Sequence, residues 1–177
     1  MKKIYLLVSH TGTVPSKLIS YFTKDSYTHV SIALNAELTE MYTFGRKYTY
    51  LILPAGFVRE SKDSGVYKRF SDTKSVLIEI PVEEEVFEEI QTRLRTMYVD
   101  KNKYKYNVLG ILYAKFGKHR HKENHFYCSE FVQEIFEPYG LGVNTKNEVI
   151  KPIDFLSITN GKILFEGRLH NYVAQVS

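Results

Sequence analysis

The chain has 177 residues, 44% of them hydrophobic and 14% aromatic, with a formal charge of +4 and a pI near 9.0. This is a globular composition, long enough to bury a core without covalent staples and far from the disordered class. The single cysteine excludes an internal disulfide. The mild basic excess lacks the extended basic face, interleaved with aromatics, of a nucleic-acid surface, so no nucleic-acid partner is expected.

The expected architecture is one α+β domain over 1–177. The opening "MKKIYLLVSHTG" sets two lysines before an apolar run, Ile4 to Val8. That run is too short for a secretory apolar core and has no small-residue cleavage site after it, so residues 3–9 are predicted as a buried strand. No stretch approaches the length of a membrane span, and a cytoplasmic location is expected. Residues 11–24 read as a turn and helix, with Thr13 or Ser16 available as cap and Pro15 in the first turn. "THVSIAL", 28–34, alternates as a strand, "NAEL" is its turn, and "TEMYTFG", 39–45, returns as a hairpin. In residues 46–75, Pro54, Gly56 and Gly65 break the periodicity, which predicts short strands and loops.

"SVLIEIP", 75–81, is a strand, and 82–98 is the clearest helix. Val86, Ile90, Leu94 and Met97 form its apolar stripe, with Glu83, Glu84 and Glu85 at the dipole's positive end. Residues 106–116 predict another helix. "KFGKHRHKENH", 115–125, is the densest basic stretch, either a solvated loop or an electropositive rim for an anionic membrane or substrate. "HFYCSEFVQEIF", 125–136, predicts a helix starting at or just after Cys128, with Pro138 and Gly140 as stop signals. A short turn or helix and a strand near 162–166 complete the chain.

A nucleophilic thiol needs a base within reach, and the base needs an orienting partner. Cys128 at a helix start meets free N–H groups and the dipole, which favour negative charge; its other reading is a small hydrophobe in a core. His29 is the histidine placed on a strand. Alternation sets His29, Ser31 and Ala33 on one face and Val30, Ile32 and Leu34 on the other. Glu40, on the returning strand, is the expected carboxylate partner, ahead of Glu37 in the turn and of Asn35. His119, His121 and His125 space as H-x-H-x3-H, but in a charged loop without a thiol, so no metal is expected there. Gly12 lacks the lysine of a phosphate loop, and no cofactor is expected.

"LVSHTGTVPSKLISYFTKDSYTHVSIAL", followed far downstream by "FYCSEFVQEIF", resembles the YiiX/YebB-like permuted papain-like cysteine hydrolases of the NlpC-type peptidase superfamily, a group that also holds the lecithin:retinol acyltransferase-like proteins. The resemblance implies a circularly permuted papain-like fold, an antiparallel sheet packed on helices with the cysteine at a helix N-terminus. It implies Cys128 as nucleophile, His29 as base and Glu40 as third member, with Tyr104 or Tyr106 completing the oxyanion hole. The chain departs from unpermuted relatives at Tyr127, where they carry an acidic residue. The implied function is cysteine amidase or peptidase chemistry through a thioester, on a small peptide, amide or lipid acyl substrate. The alternatives are a lipid-directed acyl hydrolase or acyltransferase, and a catalytically silent binding module.

Overall fold

A computed structural model of the chain describes residues 1–11, 26–49, 51, 53–107, 122–144 and 149–174. The expected helix at 11–24, and all of the expected helix at 106–116 beyond Asn107, lie outside them. Among the described residues the protein is α+β. Eight strands, β1 (Lys2–His10), β2 (His29–Ala33), β3 (Met41–Arg46), β4 (Ala55–Glu60), β5 (Lys74–Val82), β6 (Lys105–Tyr106), β7 (His125–Phe126) and β8 (Lys162–Arg168), form one sheet in the order β7-β6-β4-β3-β2-β1-β5-β8. Every pairing is antiparallel except β6 with β7. Three α-helices among the described residues accompany it: α1 (Gly65–Arg69), α2 (Glu84–Val99) and α3 (Cys128–Phe136).

Alternation along the central strands gives the sheet two cores. Ile4, Leu6 and Val8 of β1, Val30 and Ile32 of β2, and Tyr42 and Phe44 of β3 are buried with Ile90 and Leu94 of α2 and Phe131, Val132 and Ile135 of α3. These are the apolar stripes read from the sequence, at the period-2 and 3.6-residue spacings that let sheet and helix share one core. Phe44 and Phe57 meet Phe131 with ring centroids 5.3 and 5.2 Å apart, which seats α3 on β3 and β4. Tyr5, Leu7, Ala33 and Met41 face the other way, covered by Tyr67 of α1 and by Leu169 and Tyr172 after β8.

The β1–β2 register pairs Ser9 with His29 and Leu7 with Ser31, so these four side chains share the second face. Among the described residues no helix is long and apolar enough to cross a membrane.

Candidate active site

His29 is the first residue of β2, at the end of the hairpin where β3 carries glycine. A Cβ added to Gly45 would stand 3.5 Å from His29 Cε1, so the imidazole lies flat over a strand position that has no side chain. The β3–β4 register sets Glu60 opposite Met41, and Met41 is opposite Ala33. Glu60 therefore emerges on the face of His29 and Ser31. His29 Nε2 is 3.4 Å from Glu60 Oε2, and Ser31 Oγ donates to the same oxygen at 2.9 Å. Tyr67 of α1 also hydrogen-bonds the Glu60 carboxylate, and its hydroxyl lies 3.2 Å from Ser9 Oγ. The result is a partly buried chain of polar groups, Ser9–Tyr67–Glu60–His29, with Ser31 bracing its middle.

Cys128 opens α3 and is 6% exposed. Its side chain interacts with the His29 imidazole, so a thiol, an imidazole and a carboxylate stand in sequence. Burial opposes a charge on His29. The Glu60 charge, the Cys128 contact and the Glu60 hydrogen bond outweigh it and raise the imidazole to about 10. Burial likewise opposes a charge on Glu60. The His29 charge and the hydrogen bonds from His29, Ser31 and Tyr67 win there too, holding the carboxyl below its usual range. At neutral pH the pair is an imidazolium held by a carboxylate beside the sulfur.

Two segments bring Cys128 to this place. The parallel β6–β7 pair sets Tyr106 opposite Phe126, two residues before the cysteine. Tyr106 falls in this short strand rather than starting a helix. Glu130, in the first turn of α3, accepts a hydrogen bond from the Tyr127 backbone N–H at 3.4 Å and from Asn107 Nδ2 at 3.5 Å. That reach back to the residue before the helix fixes where α3 begins. Ser129 Oγ donates to the Ile150 carbonyl at 2.8 Å and ties the same turn to the following segment.

The two candidate tyrosines have different surroundings. Burial, followed by the charge of nearby Cys128, pushes the Tyr106 phenol well above its ordinary value. Tyr106 is thus a protonated donor beside the sulfur. Tyr104 packs edge-on against Phe57, with ring centroids 6.1 Å apart.

Glu40 is not the partner of His29. Leu34 N–H donates to the Glu40 carbonyl at 3.0 Å, which places Glu40 at the turn end of the hairpin while His29 lies at the opposite end. What excludes it is the face: alternation sends the Glu40 side chain away from His29, to where Tyr42 Oη donates to it at 2.7 Å and Arg95 Nε and Nη2 each donate at 3.0 Å. The Arg95 hydrogen bond holds this carboxyl below its usual range, burial opposing. A Glu40→Gln protein is expected to keep its Cys128 and His29 chemistry and to lose about 1 kcal/mol of stability, because Arg95 is exposed while Glu40 is half-buried. Urea denaturation and thiol reactivity measured side by side check both halves.

His119 and His121 lie outside the described residues, and His125 Nδ1 donates to the Glu123 carbonyl at 2.8 Å. Among the described residues no group of three or more His, Cys, Asp or Glu is placed to hold a metal ion. Sequence reasoning missed Glu60, Ser31 and Tyr67. Ser31 was on the right face of the right strand, yet a serine there reads as filler. Glu60 ends "AGFVRE", a weakly alternating run, and only the register of a third strand tells which carboxylate of 46–75 reaches the imidazole. No protein-family model matches the chain, and no curated protein is significantly similar to it.

Proposed function

We propose that the chain is a cysteine hydrolase of the amidase or peptidase type, a circularly permuted papain-like arrangement working through Cys128, His29 and Glu60. The observation that carries the reading is the His29 imidazole standing between the Cys128 thiol and the buried Glu60 carboxylate. The chain order, base then carboxylate then nucleophile, fits the permuted arrangement.

Glu60 and Ser31 occupy Nε2 of His29, which leaves Nδ1 as the ring nitrogen for the sulfur. The catalytic proton rests on the imidazole, and the sulfur attacks the substrate carbonyl. A C–S bond forms as the carbonyl π bond breaks onto oxygen. The oxyanion is held by the Cys128 backbone N–H, free at the first position of a helix, and by the Tyr106 phenol. Collapse expels the amine or alcohol, which takes its proton from His29, and leaves a thioester on Cys128. Water then attacks the thioester with His29 as base, releasing the acid and restoring the pair.

A catalytically silent binding module is the competing reading, and the near-complete burial of Cys128 favours it. Iodoacetamide labelling of the folded protein at neutral pH separates the two. The hydrolase reading expects Cys128 to react, with the rate falling at least ~10-fold in His29→Ala when the imidazolium is removed. A cysteine that reacts only once the chain is unfolded, in both proteins, sinks the hydrolase reading.

A further inference from the structure

Tyr67 carries a hydroxyl that its packing does not need. The residue is 5% exposed and sits in the second core with Leu7, Ala33 and Met41, where phenylalanine would fill the same space. A buried hydroxyl is costly unless it is hydrogen-bonded, and this one reaches from α1 to the Glu60 carboxylate on β4. The protons of the polar chain then have one order. An ionised carboxylate only accepts, so Ser31 and Tyr67 each give it their single hydroxyl proton, Ser31 at 2.9 Å. Tyr67 Oη is left as an acceptor, and Ser9 Oγ donates to it from 3.2 Å. Three donors, His29, Ser31 and Tyr67, thus converge on one side chain.

Glu60 also has a competing partner. It shares with Tyr67 the lining of a cavity of about 290 Å³, and Arg46 of β3 lines the same space. Arg46 is half-buried; burial lowers its guanidinium, and the Glu60 charge acts against that lowering. Among the described residues Glu60 nevertheless forms its ion pair with His29. A guanidinium is the stronger rival, because it is always charged and offers a planar fork of donors to a carboxylate. The last torsion of a glutamate is soft, so the side chain itself does little to prevent a turn toward Arg46. The hydroxyls of Tyr67 and Ser31 oppose that turn.

We propose that Tyr67 is a positioning residue of the site: its hydroxyl holds the Glu60 carboxylate on His29 Nε2 and away from Arg46. The role rests on the cysteine-hydrolase reading and adds to it a residue that acts only through Glu60.

The test follows the imidazole Nε2 proton of His29 in the full-length, histidine-¹⁵N-labelled protein, assigned by its absence from His29→Ala. In the wild type this proton, held by a buried carboxylate, should resonate downfield and exchange slowly. Tyr67→Phe keeps the ring and should lose that resonance. The Tyr67→Phe/Arg46→Gln double variant, in which the competing guanidinium is gone as well, should regain it. Ser9→Ala leaves Tyr67 its donation to Glu60 and should keep it. A wild type without the resonance, or a Tyr67→Phe protein that retains it, overturns the role. A loss that the double variant does not reverse overturns the competition with Arg46, and an equal loss in Ser9→Ala assigns the effect to packing instead of the Tyr67 hydroxyl. Iodoacetamide labelling of Cys128 in the same proteins separates this from the hydrolase reading. A rate that falls in Tyr67→Phe, by less than in His29→Ala, and recovers in the double variant supports both. A reactive Cys128 whose rate Tyr67→Phe leaves unchanged removes Tyr67 alone. A wild-type Cys128 that is inert sinks the hydrolase reading and the catalytic part of the role with it, whatever the resonance does.

Discussion

Cys128→Ala, which removes the nucleophile of the proposed reaction, is expected to abolish turnover of an acyl substrate, and His29→Ala to lose roughly 10²–10⁴-fold or more, the contribution of one positioned acid–base group. Both proteins should remain folded. The alanine at 128 removes a single sulfur at the rim of the core, and His29 stands at a strand end over a glycine. The two losses should not add, because the sulfur and the imidazole act as one unit and either deletion stops the same step. Under the proposed mechanism Tyr106→Phe deletes one oxyanion donor while the Cys128 backbone N–H remains. Its expected loss is about 10²-fold in kcat with KM little changed. Steady-state kinetics of the three variants and the Cys128→Ala/His29→Ala double variant, beside circular dichroism, decide the matter. A His29→Ala protein with full activity removes the imidazole from the mechanism.

Glu60→Gln carries the second large effect, and it is read as a function of pH. In the wild type His29 is raised from 6.5 to about 10, so between those values the folded state holds a proton that the unfolded state has lost. The stability from this group is complete below about 6.5 and disappears as pH climbs through about 10. Glu60 has the opposite sign. Its carboxyl is depressed from 4.5, so its contribution is complete above 4.5 and is lost as pH falls through the folded value. The wild type should therefore be most stable from about 4.5 to 6.5 as far as this pair is concerned. Glutamine at 60 removes the charge that most favours the imidazolium and leaves burial, which disfavours it. The alkaline decline of stability should flatten, and the alkaline limb of kcat/KM should move to lower pH by more than one unit. Denaturant midpoints and rate profiles from pH 5 to 10 give both. Profiles that superpose on the wild type mean that Glu60 does not set the state of His29.

Much of the scaffold was legible because it rests on short-range periodicity. The stripe Ile90, Leu94, Met97 specified α2, and the alternation of "THVSIAL" put His29 and Ser31 on one face before any partner strand was known. Cys128 at the start of α3 followed from apolar spacing and the stop signals behind it. The carboxylate was not legible in the same way. Glu40 is expected from the sequence because a hairpin brings neighbours together, but alternation sends its side chain to the face opposite His29, where Tyr42 and Arg95 hold it. Glu60 arrives through a second register, β3 with β4, across a stretch whose prolines and glycines hide its period. Tyr106 depends on a two-residue parallel pairing, too short to leave a mark in composition.

The polar chain Ser9–Tyr67–Glu60–His29 is drawn from β1, β2, β4 and α1, all of which precede α2, whereas Cys128 comes from a helix well after it. During synthesis on the ribosome His29 and Glu60 thus emerge before Cys128 exists, and they are the partners that must be desolvated together. A half-made chain carries the imidazole and carboxylate but no sulfur to attack its neighbours. The thiol joins later, beside an imidazole and carboxylate already brought together by strands made earlier.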